Sequence, residues 1–333
     1  MNEISRILAA LAAAPLESAA LGTLVGVEGS SYRRPGARLL LLSGGGRIGS
    51  ISGGCLEEDV IERARRVLAT GQAEVVTYDT TSENDIVWGV GLGCQGKVHL
   101  LIERIPIERP RWLTVLLENI GARRPTAVAI VHGGSSVAEW GTRLETELPV
   151  SGGELAIFRE TIAPPPELLV FGAGDDAQPL VRMACETGWR VTVVDSRAAY
   201  ANAVRFPEAA TIAAIPVEEV VTQVSLDPRT FAVVMTHRYA EDKKILGILL
   251  TRPLAYLGIL GPRKRTERLL AELQSENVAD IYFNVAGLYS PIGLDLGGST
   301  PELVALSILA EMQACLSKRA PVHLRDRPGP IHG

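Results

Sequence analysis

The stretch Leu168-Leu169-Val170-Phe171-Gly172-Ala173-Gly174-Asp175-Asp176-Ala177 decides the fold of this chain. A short apolar strand runs into a glycine turn, and a helical pattern then leads to a second apolar run at 191–194. This order of strand, turn, helix and strand is typical of a βαβ dinucleotide-binding unit. The stretch therefore predicts a Rossmann-like, doubly wound parallel sheet.

Positions in and after the turn carry the argument for a ligand. Gly172 allows the tight turn, Gly174 lets a phosphate approach the backbone, and the helix start offers free N–H groups to an anion. Asp195 ends the second strand, about twenty residues later, where a ribose-binding acid is expected. Asp175 and Asp176 oppose this interpretation, because their negative charges stand where a pyrophosphate would lie. Alternatively, both acids only stabilise the helix start.

The composition narrows the other choices. At 333 residues the chain is too long for one ordinary core, so two domains are expected. The net charge of −5 gives no reason to expect nucleic acid or an anionic membrane as a partner. No apolar run approaches the roughly 18 residues of a membrane span. Four scattered cysteines without a CxxC spacing argue against zinc and favour a reduced, cytoplasmic protein.

A proline triplet at 164–166 marks the domain boundary. Three consecutive prolines are stiff and cannot enter a sheet, so they are expected to form a linker. We predict a mixed α/β domain over residues 1–162, a Rossmann-like domain over 167–320 and a loose tail over 321–333.

The first domain holds a loop rich in hydrogen-bond donors, between strands predicted at 22–27 and 37–42. Donors on a flexible loop suit an anionic ligand, although a solvated turn is the open alternative. The candidate ligand-binding residues of this loop are Ser30, Ser31, Tyr32, Arg33 and Arg34.

A second loop of the first domain leads into a helix predicted at 57–68. It contains Ser52, Gly53, Gly54 and Cys55, and its glycines would expose backbone N–H groups to an anion. Cys55 stands at the helix N-terminus, where the helix dipole favours a thiolate. A small buried thiol is the alternative.

A third loop repeats this chemistry, because Gly93 and Cys94 also lie in a glycine-rich stretch before a predicted strand. Two cysteines in glycine-rich loops suggest one shared site, in which Cys55 and Cys94 would be thiolate donors to a ligand or a soft metal. Their closeness in space is a hypothesis at this stage.

Two further candidates follow later strands of the second domain. His237 comes after the apolar run 231–235, at a strand end that faces the ligand crevice in such sheets. It is a candidate catalytic group for proton transfer, with Asp242 at the start of the next helix; a histidine that caps this helix is the alternative. Arg263 and Arg265 oppose the dipole of another helix, a conflict that a bound phosphate would relieve and a solvated face would also explain.

Together these segments resemble the XdhC/CoxI family, which comprises accessory proteins of molybdenum-containing hydroxylases such as xanthine dehydrogenase. The resemblance covers nearly the whole chain. One departure is Asp175, which stands where the family often carries histidine. The motifs that carry the resemblance are 29–37, 49–57 and 91–94 in the first domain, and 172–174, 194–197, 236–237, 260–263 and 291–295 in the second.

The resemblance implies an accessory protein that binds molybdenum cofactor, with or without an added nucleotide. Such a protein protects the cofactor while its terminal sulfur is installed and delivers it to the apo-hydroxylase. The implied partners are a hydroxylase of the xanthine dehydrogenase type, a cysteine desulfurase and a second copy of the chain. Basic and glycine-rich loops would hold the phosphate, and Cys55 or Cys94 would hold the metal or shield its sulfur.

A second class of function stays open, in which the Rossmann half binds NAD(P) and the protein is an oxidoreductase. A catalytic role as xanthine dehydrogenase itself is not expected. The chain lacks the cysteine spacings that iron–sulfur clusters need for electron transfer.

Overall fold

The computed structural model describes residues 2–13, 18–79, 96–134, 136–148, 155–224, 226–276 and 287–328. The chain divides into two compact units between Pro164 and Pro165. Among the described residues, no helix has the length and apolar character that crossing a membrane requires.

The first unit is built on an antiparallel sheet with helices on both faces. Its elements are α1 (Asn2–Ala12), β1 (Ala19–Gly29), β2 (Arg38–Leu42), β3 (Arg47–Gly49), α2 (Glu57–Thr70), β4 (Glu74–Asp79), β5 (Gly96–Ile105), α3 (Arg111–Gly121), β6 (Thr126–Gly133), β7 (Gly141–Leu144) and β8 (Ala156–Ile162). Five strands form the main sheet in the order β3-β2-β1-β5-β4, and three form a smaller sheet in the order β7-β6-β8.

The main sheet is apolar on both faces because both are covered. Alternate residues of a strand point to opposite faces. Leu39 and Leu41 of β2 accordingly pack with α2, whereas Leu40 between them packs with α1, α3 and the smaller sheet. Continuous apolar runs are therefore compatible with an antiparallel sheet here, and the amphipathic first helix joins the core through Ile7 and Leu11.

The second unit is a parallel sheet with helices on both faces. Its elements are β9 (Glu167–Phe171), α4 (Ala177–Glu186), β10 (Arg190–Val194), β11 (Thr211–Ala213), α5 (Val217–Gln223), β12 (Thr230–Val234), α6 (Tyr239–Leu249), β13 (Tyr256–Ile259), α7 (Arg263–Ser275), β14 (Leu288–Tyr289) and α8 (Pro301–Ser317). Helices α4 and α8 pack on one face of the sheet, and α5, α6 and α7 pack on the other.

The six strands of this sheet follow the order β11-β10-β9-β12-β13-β14, and each neighbouring pair is parallel. In chain order this is 3-2-1-4-5-6, the arrangement of dinucleotide-binding Rossmann folds. The predicted α/β fold class, with a Rossmann-like second half, is thus confirmed. The order reverses between β9 and β12, so the ligand crevice of this fold type lies at the carboxyl ends of these two strands.

Gly172 lets the two central strands approach each other at this point. It has φ +112°, and a Cβ there would lie 2.5 Å from the carbonyl oxygen of Met235. We expect Gly172→Ala to destabilise the second unit by about 3 kcal/mol, because neither backbone can yield as a flexible side chain would. In hydrogen exchange measured by mass spectrometry, peptides from β9 and β12 should lose protection.

A matched control is Gly287→Ala, since a Cβ at Gly287 meets no atom within 4 Å. It should leave the exchange of both strands unchanged. Wild-type protection in Gly172→Ala would contradict this account of the close approach.

Candidate functional site

Several connections of the first unit meet at one end of its main sheet. Strand β1 ends at Gly29, which pairs with Gly96, the first residue of β5. Strand β3 ends at Gly49, beside the start of β2, and β4 ends at Asp79, beside the start of β5. The loops that follow Gly29 and Gly49 therefore leave the same end of the sheet. The residues that flank segment 80–95 lie there as well.

The donor-rich loop and the glycine–cysteine loop contact each other at this end. A Cβ on Gly53 would lie 4.0 Å from Cδ1 of Tyr32, so the tyrosine ring lies against glycine backbone. Tyr32 is 64% exposed, and Cys55 is exposed as well. A Cβ on Gly54 would meet no atom within 4 Å. The alternative of a buried structural thiol is thus wrong for Cys55, which lies on an open surface beside an aromatic ring.

Glu57 braces the glycine–cysteine loop, and sequence reasoning did not single it out. Its Oε1 accepts hydrogen bonds from Ser50 Oγ (2.8 Å), from the Ile51 N–H (3.2 Å) and from the Ser52 N–H (2.8 Å). Its Oε2 accepts from the Ser52 hydroxyl, which in turn accepts from the N–H of Leu56. These N–H groups bind an acid of the chain itself, so they are not the exposed anion cradle that the glycines suggested.

The same bonds fix the charge of Glu57. Burial raises its pKa, but the hydrogen bonds from Ser52 and Ser50 outweigh burial and bring the pKa down to about 2. The side chain is therefore ionised at neutral pH and acts as the fixed anion around which the loop folds. The signal available in the sequence is an acid at the first helical position after a serine-rich turn.

The remaining residues of the donor-rich loop have different surroundings. Arg33 donates to Glu3 Oε2 at 2.7 Å, which ties the loop to helix α1. Ser31 is half-buried, whereas Ser30 and Arg34 are exposed at the loop surface. Gly93 and Cys94 lie outside the described residues, so a site shared by Cys55 and Cys94 stays a prediction. Among the described residues, no group of three histidine, cysteine or acidic side chains is placed to hold a metal.

In the second unit, the predicted ligand-binding residues share the carboxyl edge of the parallel sheet. They come from separate connections because each parallel strand ends at this edge. Gly172, Gly174 and Asp175 follow β9, Asp195 and Arg197 follow β10, His237 follows β12, and Arg263 follows β13.

Asp195 is buried and holds the glycine turn. Its Oδ1 accepts from the Arg197 N–H (3.0 Å) and Nε (2.9 Å). Its Oδ2 accepts from the Ala173 N–H (3.0 Å) and from Nη2 of Arg197 (2.6 Å). Burial raises the pKa of Asp195, but the hydrogen bonds from Arg197 and Ala173 prevail and lower it to about 2. Arg197 and Asp195 thus form one hydrogen-bonded unit rather than two independent ligand contacts.

His237 pairs with an acid that sequence reasoning had assigned only to the helix start. Its Nε2 lies 2.6 Å from Oδ2 of Asp176, across the point where the strand order reverses. His237 also has φ +58°, a conformation that residues other than glycine seldom adopt. Asp176 is the N-cap of α4 but makes no capping hydrogen bond with its side chain. The 61-residue separation of the pair explains why the sequence did not reveal it.

Asp242, the predicted companion of His237, has other partners. It is buried, and it accepts from Thr236 Oγ1 at 2.5 Å and from Nη2 of Arg265 at 2.6 Å. The structure therefore places Asp242 and Arg265 in a support that joins α6 to α7, and His237 is not hydrogen-bonded to Asp242. Arg263 is exposed at the first position of α7 and makes no ion pair with the described residues.

The two acids of the glycine turn occupy the expected pyrophosphate position. A Cβ on Gly174 would lie 2.6 Å from Oδ1 of Asp176, so this carboxylate stands directly over the glycine. Asp175 is 85% exposed and pairs with Arg205 at 2.8 Å. A pyrophosphate that approached Gly174 would meet a carboxylate there, which disfavours the usual mode of dinucleotide binding.

A Rossmann crevice in one unit and a glycine–cysteine loop site in the other define a two-domain binding protein. Models of protein families match both halves: the XdhC Rossmann domain at residues 168–312, and the XdhC and CoxI family at residues 12–79. A Bacillus subtilis (strain 168) protein, named there as a probable subunit of xanthine dehydrogenase, is 34% identical over 89% of this chain and 92% of its own length. The chain therefore belongs to the XdhC/CoxI family.

Other relatives agree with this membership. The molybdenum cofactor insertion chaperone PaoD of Escherichia coli (strain K12) is 25% identical over 89% of this chain and 83% of its own length. A crystal structure of a xanthine dehydrogenase from Bacillus halodurans superposes with a TM-score of 0.79 at 30% identity, and it covers 96% of this chain and 97% of that one. Both units of the fold are thus shared with a solved structure.

Proposed function

We propose that this protein binds molybdenum cofactor as cargo and serves the maturation of a molybdenum hydroxylase of the xanthine dehydrogenase type. It protects the cofactor while a cysteine desulfurase supplies the terminal sulfur, and then delivers it to the apo-hydroxylase. Two relatives support the proposal by name, one as a cofactor insertion chaperone and one as a probable subunit of xanthine dehydrogenase.

The observation that carries the proposal is the exposed Cys55 beside Tyr32 and two glycines, on a loop fixed by Glu57. Thiolates are ligands for soft metals, so Cys55 is suited to the metal or to the shielding of its sulfur. Exposed glycine backbone lets a ligand come close, and the neighbouring tyrosine ring offers a stacking surface.

The chemistry of the described residues fits the three parts of this cargo. Molybdenum cofactor carries a dithiolene-bound metal, a pterin and a phosphate. A thiol and an aromatic ring lie together in the first unit. Arginines that suit a phosphate lie in both units, with Arg34 exposed in the first and Arg197 and Arg263 at the crevice edge of the second. Cys94 is proposed as a second thiol donor.

An NAD(P)-dependent oxidoreductase is the second candidate. The 3-2-1-4-5-6 strand order and the His237–Asp176 pair at the switch point favour it. Against it stands the carboxylate of Asp176 over Gly174, at the place where the pyrophosphate of the dinucleotide would bind.

The deciding experiment is anaerobic mixing of the purified protein with released molybdenum cofactor, followed by gel filtration. The protein peak is assayed for oxidised pterin, its elution volume reports whether the chain is the expected homodimer, and NADH is titrated in parallel. We expect about one pterin per chain and no tight NADH binding. Tight NADH binding without retained pterin would refute the maturation role and favour the oxidoreductase.

A further inference from the structure

The acid at the end of β10 has no acceptor left for a ligand. An ionised carboxylate offers about four acceptor positions on its two oxygens. Asp195 receives four donors from its own chain, three from Arg197 and one from Ala173. In dinucleotide-binding relatives of this fold, such an acid accepts hydrogen bonds from the ribose hydroxyls. Here a ribose diol would have to displace bonds that fix the glycine turn.

Three guanidinium groups surround the same turn. Arg197 pairs with Asp195, and Arg205 donates to the carbonyl oxygen of Ala173 at 3.2 Å. Nη2 of Arg238 lies 3.7 Å from Oδ1 of Asp195, which is too long for a hydrogen bond. These residues form the arginine cluster (Arg197, Arg205 and Arg238), to which the residue at the end of β10, the residue after the 200–204 turn and the N-cap of α6 each contribute.

The arginine cluster holds donors that lack acceptors. Among the described residues, Nε of Arg205 and Nε of Arg238 are buried without a hydrogen-bond partner. Buried unsatisfied donors are costly, and the cost is higher for charged groups. The guanidinium groups of Arg197 and Arg238 are otherwise about one-third exposed, so they are open to the crevice. A ligand with several anionic oxygens would satisfy these donors, since arginine binds phosphate through paired N–H groups.

We propose that the carboxyl end of β10 binds a phosphomonoester in place of a ribose diol, and that Arg238 and Arg197 are its ligands. The group has two sources with the same chemistry: the terminal phosphate of a pterin cargo, or the 2′-phosphate of a nucleotide. The first source rests on the proposed function and deepens it by naming the part of the cargo that the second unit holds. The second source is independent of it.

Two pairs of probes test the inference on the full chain, and each pair differs by one phosphomonoester. One pair is the oxidised pterin obtained from the cofactor, before and after treatment with phosphatase. The other pair is NADP⁺ and NAD⁺. By calorimetry we expect the phosphorylated member of at least one pair to bind at least about tenfold more tightly. Equal affinities within both pairs would overturn the inference.

The variant Arg238→Gln identifies the residues responsible. Arg238 makes no side-chain hydrogen bond within the described residues, so its replacement should leave the fold intact. We expect the phosphate preference to fall below about threefold in Arg238→Gln, because a neutral amide cannot pair with an anion. It should stay at the wild-type value in Arg182→Gln, a change on the exposed side of α4. A full preference in Arg238→Gln would also overturn the inference.

The outcomes separate this inference from the proposed function. A preference for NADP⁺ over NAD⁺ without any pterin binding would uphold the phosphomonoester site and refute the maturation role. Pterin binding that ignores the phosphate would leave the maturation role in place and refute the site.

Discussion

Cys55→Ser is expected to lower the cofactor retained after gel filtration at least about tenfold, since loss of a thiolate ligand removes a direct bond to the cargo. The serine hydroxyl is similar in size but is not ionised at neutral pH. Cys55 is exposed, so the replacement should not alter the fold. The measurement is pterin per chain in the protein peak under anaerobic conditions.

Cys185→Ser is the matched control for this change. Cys185 is half-buried in the second unit and donates to the carbonyl oxygen of Glu208 at 3.3 Å. Burial, with the nearby Glu208 and Glu186, raises the pKa of this thiol to about 11, so it is protonated at neutral pH. Its variant should retain wild-type amounts of pterin. Wild-type retention in Cys55→Ser would remove that residue from the proposed site.

Glu57→Gln is expected to have the second large effect, on stability as well as on binding. Glutamine loses the charge and one of two acceptor oxygens, and its amide group would face the N–H of Ser52 and the hydroxyl of Ser50. We expect a loss of about 2–3 kcal/mol in the free energy of unfolding of the first unit, with lower retention of pterin. Hydrogen exchange should show lost protection at the start of α2 and unchanged protection in β9.

The stabilisation by Glu57 depends on pH in a direction that the pKa fixes. Its folded-state pKa lies near 2, below the ordinary value of 4.5, so the contribution is complete above about pH 4.5 and is lost as the pH falls towards 2. In urea unfolding followed by circular dichroism, the difference between wild type and Glu57→Gln should therefore shrink between about pH 6 and about pH 3. The exposed neighbour variant Glu58→Gln should show no such difference. A gap that grows on acidification would contradict the account.

The fold class could be predicted because its signals are local. A strand, a glycine turn, a helix and a second strand follow one another without interruption, and the packing of α4 through Ala177 and Leu180 agrees with that pattern. The shortest strands, β11 and β14, have three and two residues at the margins of the sheet. They are too short for a periodic pattern, so the sequence did not indicate them.

The candidate sites could be predicted only in part, because their decisive contacts are not local. The motifs pointed correctly to a strand end for His237, but its partner Asp176 comes from another connection. Likewise, Asp195 has the spacing of a ribose-binding acid, and only the conformation of Arg197 shows that its oxygens are occupied. The surroundings of Cys55 depend on the contact of two loops that lie about twenty residues apart in the chain.

The maturation role is tested most directly by transfer of the cargo. The protein, loaded anaerobically with sulfurated molybdenum cofactor and freed of excess by gel filtration, is mixed with an apo-hydroxylase of the xanthine dehydrogenase type. We predict that hydroxylase activity appears and that pterin leaves the protein in equal amount, with Cys55→Ser giving little of either. Cofactor that stays bound, or activation no greater than with an equal amount of free cofactor, would contradict delivery by this protein.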